Sequence, residues 1–146
     1  MSRDLALVYL DAVETPQRGN LQNYMLGVAP RDVSGAHGLV QLVTMTLLTD
    51  GGSHTLDPGW GVGIGRVLRK GFGNLDDVRA AVIVAVAQAR EQILTRQSGE
   101  SMPDDERLED LSVQAVIQDA IGVLVLLSVT TAAGASLVLN SRDFLR

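Results

Sequence analysis

The segment "LDPGWGVGIGRVLRK", residues 56–70, sets glycine at 59, 61, 63 and 65 ahead of Arg66, Arg69 and Lys70, a combination that invites a phosphate-binding reading. The spacing argues against it. A dinucleotide fingerprint orders its glycines G-x-G-x-x-G directly after a buried strand, whereas these fall at every second position, behind Asp57 and Pro58. A Walker loop needs Ser or Thr after its Gly-Lys, and Lys70 is followed by Gly71. Glycines two apart put their bare Cα atoms on one side of an extended chain, where another backbone or a large ring can come close. Trp60, the single tryptophan, is the obvious ring. We therefore read Asp57, Pro58, Gly59, Trp60 and Gly61 as a structural turn, and the three cations as a solvated face or a grip for an acidic protein partner.

The remaining chemistry-bearing residues do not assemble into a recognisable site. His37 and His54 lie in separate glycine-rich segments, each without a second His or Cys at ligand spacing, so no metal site is expected. Ser53, His54 and Asp57 make a nucleophilic triad only on paper, because adjacent side chains of an extended chain point to opposite faces and no G-x-S-x-G elbow is present. Glycoside hydrolysis needs two carboxylates about 5 to 9.5 Å apart across a cleft. Glu14, Glu91, Glu100 and Glu109 are available, but each has a plainer reading in an acidic start, on a wet helix face or beside a loop. No catalytic residue, cofactor or metal is expected, and a small cell-wall hydrolase is the alternative enzymatic reading.

Whatever the chain does, its 146 residues suit one domain with a real core. Cysteine is absent, which removes disulfides, thiolate nucleophiles and cysteine metal sites. The net charge of -5 opposes binding to a polyanion, and 3% aromatic content offers little for stacking bases or sugars. No stretch approaches the roughly 20 apolar residues of a membrane span, and "MSRDLALVYLDAVE" is too short and too acidic for a secretory signal. The expectation is a soluble protein without nucleic-acid or membrane partners.

The elements follow from periodicity. Residues 1–37, broken by Pro16, Gly19, Gly27, Pro30 and Gly35, read as an extended N-terminal arm. "GLVQLVTMTLLT", residues 38–49, fits helix or strand, and a short helix leading into an Asp50-Gly51-Gly52 turn is preferred. Asn74 caps a long helix, with Asp77 in the capping-box position, and Leu75, Val78, Val82, Ala85, Ala89 and Ile93 mark its core face up to about Arg96. Ile83, Val84 and Val86 widen the apolar surface, to be met by the domain's own core or by a neighbouring subunit. A polar loop, residues 96–107, leads to three strands, in the first of which Leu111, Val113 and Ala115 alternate with polar residues, and of which the last two form a hairpin. The fold class is α+β, with the long helix packed on a small antiparallel C-terminal sheet.

The stretch "GLVQLVTMTLLTDGGSHTLDPGWGVGI", residues 38–64, resembles the baseplate-wedge proteins of contractile phage tails, also called sheath initiators, a lysozyme-like wedge family with relatives in type VI secretion. Thr49, Gly52, Ser53, Leu56, Asp57, Pro58, Trp60 and Gly61 match the family's turn, and the resemblance in element order extends over roughly residues 38–140. It departs where many members carry Glu-Pro-Arg near the helix end and this chain reads Arg90-Glu91-Gln92-Ile93, so the wedge-core contact of that triplet does not transfer. The loop over 96–107 is also longer than the family pattern. The resemblance implies a structural, non-enzymatic role in the inner baseplate, with residues 38–146 as one α+β wedge domain. It implies other wedge proteins, the tail sheath protein and tail tube or hub proteins as partners, in the virion and, during assembly, in the host cytoplasm. Sheath growth in that family starts on an exposed strand, for which Ser136, Leu137, Val138, Leu139 and Asn140 are the candidates here; an ordinary closing strand is the plainer reading.

Overall fold

The computed structural model describes residues 4–5, 32–33, 35–120 and 122–141. Most of the expected arm lies outside them. What is described there is a two-residue antiparallel ladder, β1 (Asp4–Leu5) with β2 (Asp32–Val33), in which Asp4 faces Val33.

The ambiguous apolar segment is a helix, α1 (Ala36–Leu48). Its buried residues include Leu39, Val40, Val43 and Leu47, but also Gln41, Thr44 and Thr46, so it is enclosed on several sides, which explains why its sequence shows no clean polar face. Thr46 Oγ1 donates to the Leu42 carbonyl at 2.8 Å, satisfying one hydroxyl inside the core. Ahead of the helix, Gly35 N donates to Glu106 Oε1 at 3.0 Å, tying the entry of α1 to the loop that precedes the sheet.

Two further helices follow. α2 (Ile64–Arg69) was not foreseen, because Gly65 and the flanking glycines disguise a six-residue helix that sends only Ile64 fully into the core. α3 (Leu75–Gln97) begins and ends close to the expected positions. Asp77 N donates to Asn74 Oδ1 at 2.9 Å, and Asn74 Nδ2 returns a bond to Asp77 Oδ2 at 3.0 Å, so the box closes through the cap's side chain rather than its backbone. Asn74→Ala should lower stability by about 1 kcal/mol, read as a shift in urea midpoint with unchanged slope. An unchanged midpoint would mean that the tertiary contacts alone fix the start of α3.

The sheet is an antiparallel meander, β3 (Leu108–Asp119), β4 (Gly122–Thr131) and β5 (Ser136–Asn140), in the order β3-β4-β5. Both connections are hairpins, not the last alone: Asp119 faces Gly122 across residues 120 and 121. The register slips between Val113 and Ala115, so Gln114 is an extra residue. This corrects the expected alternation. Past the bulge Val116 is buried, while Ala115 pairs with Leu126 on the opposite face.

The inner face of the sheet carries Leu111, Val116, Val125, Leu127, Val129 and Leu139, and these join Val82, Val86, Ala89 and Ile93 of α3 and Leu39, Val43 and Leu47 of α1 in one apolar cluster. α3 runs against β3 and also contacts α1 and α2. The α+β reading, a long helix on a small antiparallel sheet, is the fold of this chain. The face of α3 carrying Ile83 and Val84 is not covered by the described chain.

Candidate functional site

Two surfaces emerge, the loop between α1 and α2 and the outer edge of the sheet. The loop is set by main-chain bonds at its base. Val62 N donates to Thr46 O, Gly63 N to Thr49 O, and Gly52 N to Pro58 O, while Trp60 N closes a turn on Asp57 O. Gly61 N is taken by Gln92 Oε1 of α3 at 2.9 Å. The amide donors of residues 60–63 are therefore all committed within the chain. A phosphate cradle must turn such donors outward, so the glycine run shapes the backbone instead. Gly61, at φ 96°, passes against the Thr49 backbone, which is the close approach that the glycine spacing suggested.

Trp60 is 7% exposed and lies in the core cluster, with the Arg96 guanidinium 4.9 Å from its ring centroid. Asp57, Pro58 and Gly59 are exposed, and the glycines do not line up along one extended strand, since α2 begins at Ile64. Arg66 pairs with Asp50 at 2.9 Å, and Arg69 Nε turns back to the Gly65 carbonyl at 3.1 Å. The basic trio does not converge on one point.

The paper triad is not formed. Ser53 Oγ donates to Asp50 O at 2.6 Å, and His54 Nδ1 accepts from the Asp57 amide at 3.1 Å, so hydroxyl and imidazole serve separate turns. His37 is exposed on α1. Among the carboxylates, Glu91 faces solvent beside Arg90, Glu100 and Glu109 are exposed, and Glu14 lies outside the described residues. No group of three or more His, Cys, Asp or Glu able to hold a metal occurs among the described residues, and no helix there is long and apolar enough to cross a membrane.

The sheet has two edges of different character. Along β3 the backbone is tied at its first residue and broken in register at two places. Gln97 of α3 accepts from Leu108 N at 2.9 Å and donates to Glu106 O at 3.2 Å, and the register is broken near Glu109 and again at Gln114. Asp110 lies 3.3 Å from Arg90 Nε, whose N–H is not aimed at it, an ionic contact across α3 and β3 rather than a hydrogen bond. Gln97→Leu should cost about 1–3 kcal/mol in a denaturant titration, because it strands the buried Leu108 amide. A neutral result would mean that water replaces the lost partner.

From Ser136 to Leu139, β5 shows none of these interruptions. Its ladder with β4 runs unbroken from Thr130↔Ser136 to Leu126↔Asn140, and "SLVLN" contains neither charge nor proline. Thr131 N donates to Ala135 O and Val125 N to Ser141 Oγ, so the odd-numbered residues of β4 bond toward β5. By antiparallel alternation, Leu137 and Leu139 spend their main-chain groups on β4, while Ser136 and Val138 turn theirs to the outer edge. Leu139 is buried and Val138 is 58% exposed, so the five candidates divide into an inward and an outward set.

Sequence reasoning missed Gln92, Gln97 and Ser141, each of which spends a side chain on a backbone amide distant in sequence. A half-polar residue within an apolar helix face is the only local signal for the two glutamines. No protein-family model matches this chain, nor does any curated protein or solved structure.

Proposed function

We propose that this protein is a non-enzymatic structural component of a contractile phage tail baseplate, linking wedge subunits and starting sheath assembly by offering β5 to a strand of the sheath protein. The observation that carries the reading is the contrast between the two edges of one sheet. β3 is interrupted by bulges and tied by Gln97, whereas β5 is unbroken in register, uncharged and, among the described residues, turned outward at Ser136 and Val138. An edge of that kind is an association hazard unless a partner completes it, and strand addition supplies affinity through the main chain. The wedge-family resemblance of residues 38–64 supplies the identity of the partners: other wedge proteins and the tail sheath protein. The place of action is then the virion baseplate, reached by assembly in the host cytoplasm.

Co-assembly of the intact chain, or of a chain ending at Gly134, with the sheath and neighbouring baseplate proteins tests this under the electron microscope. Truncation should leave baseplates and remove sheath. Since truncation also deletes buried Leu139 and Ser141, Val138→Pro, which leaves the β4 ladder intact, separates loss of the edge from loss of the fold. Equal sheath growth from all three chains would sink the proposal.

A further inference from the structure

The geometry points to Leu56 as a projecting anchor that seats in an apolar pocket on a neighbouring wedge protein, an inference that rests on the assembly role. Leu56 is 91% exposed, while the other exposed large apolar side chains among the described residues, Met45, Ile83, Val84, Ile117 and Val138, lie between 38% and 58%. A scattered, partly exposed leucine is ordinary on a protein surface. Leu56 differs in being held away from the chain by a braced support. On its N-terminal side Ser53 N and Oγ both bond Asp50 O; on its C-terminal side the Asp57 amide bonds His54 Nδ1 and Trp60 N bonds Asp57 O. The Gly52–Pro58 main-chain bond pinches the neck, and the base is fixed to α1 and to Gln92 of α3. A side chain displayed on a pre-shaped loop loses little conformational freedom on docking, the property expected of an interface anchor.

Charge selects the class of partner. Residues 50–65 contain no Lys or Arg, the next residue along the chain, Arg66, is paired with Asp50, the Arg96 guanidinium lies over the buried Trp60 ring, and Asp57 stands next to Leu56. A loop that met an anionic membrane would need basic residues beside its apolar tip. An acidic neighbour instead suits a protein pocket with a cationic or amide-rich rim. Seating one leucine fully strengthens binding about tenfold to a hundredfold, enough to decide incorporation into a wedge without holding it alone.

The test compares the intact chain with Leu56→Ser and Leu56→Met in co-assembly with the baseplate and sheath proteins of the same tail. Leu56→Ser should keep the urea midpoint of the isolated chain yet need tenfold or more protein to enter wedges, with Leu56→Met close to the parent. A photo-crosslinking residue at 56 should join one wedge protein, and the same residue at 53 should not. A lowered midpoint for Leu56→Ser, or undiminished wedge entry, overturns the anchor. So does Leu56-dependent binding to phosphatidylglycerol vesicles, or Leu56-dependent self-association. If Leu56→Ser enters wedges normally while Val138→Pro still stops sheath growth, the anchor fails and the strand-edge role stands. If the intact chain never enters a baseplate, the assembly role falls and the anchor with it.

Discussion

Gly61→Ala should remove about 3–5 kcal/mol of stability, a large part of what holds a domain of this size together. Two causes add. At φ 96° an L side chain is strained whatever surrounds it, a cost of about 1–3 kcal/mol. An added Cβ would also stand 2.8 Å from both the carbonyl carbon and the Cβ of Thr49, and nearer still to its carbonyl oxygen. That oxygen cannot simply retreat, because it accepts from Gly63 N, and Thr49 N is itself bonded to Met45 O at the end of α1. Relief would pull apart the junction of α1 and α2 and release Gln92 from the Gly61 amide. Gly52 provides the control. It has φ 85° but open space around its missing Cβ, so Gly52→Ala should show the backbone strain alone, about 1–2 kcal/mol. Urea titrations of both variants would decide the matter. Equal losses would mean that the Thr49 contact relaxes freely and that the glycine is needed only for its dihedral.

Val138→Pro should abolish sheath initiation while lowering the stability of the isolated chain by no more than about 1 kcal/mol. The amide it removes points away from β4 to the outer edge and takes no part in the β4 ladder, which is where an edge strand tolerates proline. A guest strand would lose that donor and meet the pyrrolidine ring in the plane of the sheet. Leu139→Pro is the opposite case. Its amide bonds toward β4 and its side chain is buried, so it should cost about 3 kcal/mol or more and unfold the C-terminal hairpin. Circular dichroism and urea midpoints on the free chains, beside sheath length in electron micrographs, separate the two effects. Normal sheaths grown on folded Val138→Pro baseplates would exclude pairing at this edge.

The contrast between these prolines rests on a parity that no local pattern in "SLVLN" reveals. Whether residue 138 or 139 faces the edge depends on which β4 residues bond toward β5, and that is set by the Thr131–Ala135 turn and the Ser141 hydroxyl. The same holds for the protected edge. Gln97 falls in the polar loop expected over residues 96–107, yet it closes α3 and is buried, because the returning chain at Glu106 and Leu108 bonds its side chain.

What the sequence determined by itself lies within a few residues along the chain. Asn74 and Asp77 start α3 through a contact spanning three residues, and the spacing of Val78, Val82, Ala85, Ala89 and Ile93 names its buried face. The apolar alternation and the Ala132-Ala133-Gly134 turn place the strands and their last hairpin. The tertiary structure decided the rest. It made α2 a helix despite Gly65 because Ile64 fills the core, and it moved the inward position of β3 from Ala115 to Val116 through the bulge at Gln114. It also set Trp60 inward and Leu56 outward within one polar loop. Each of these outcomes depends on partners far away in the chain, Thr46, Thr49 and Gln92 for the loop and β4 for the strands, and contacts at such separation form only when the whole core closes.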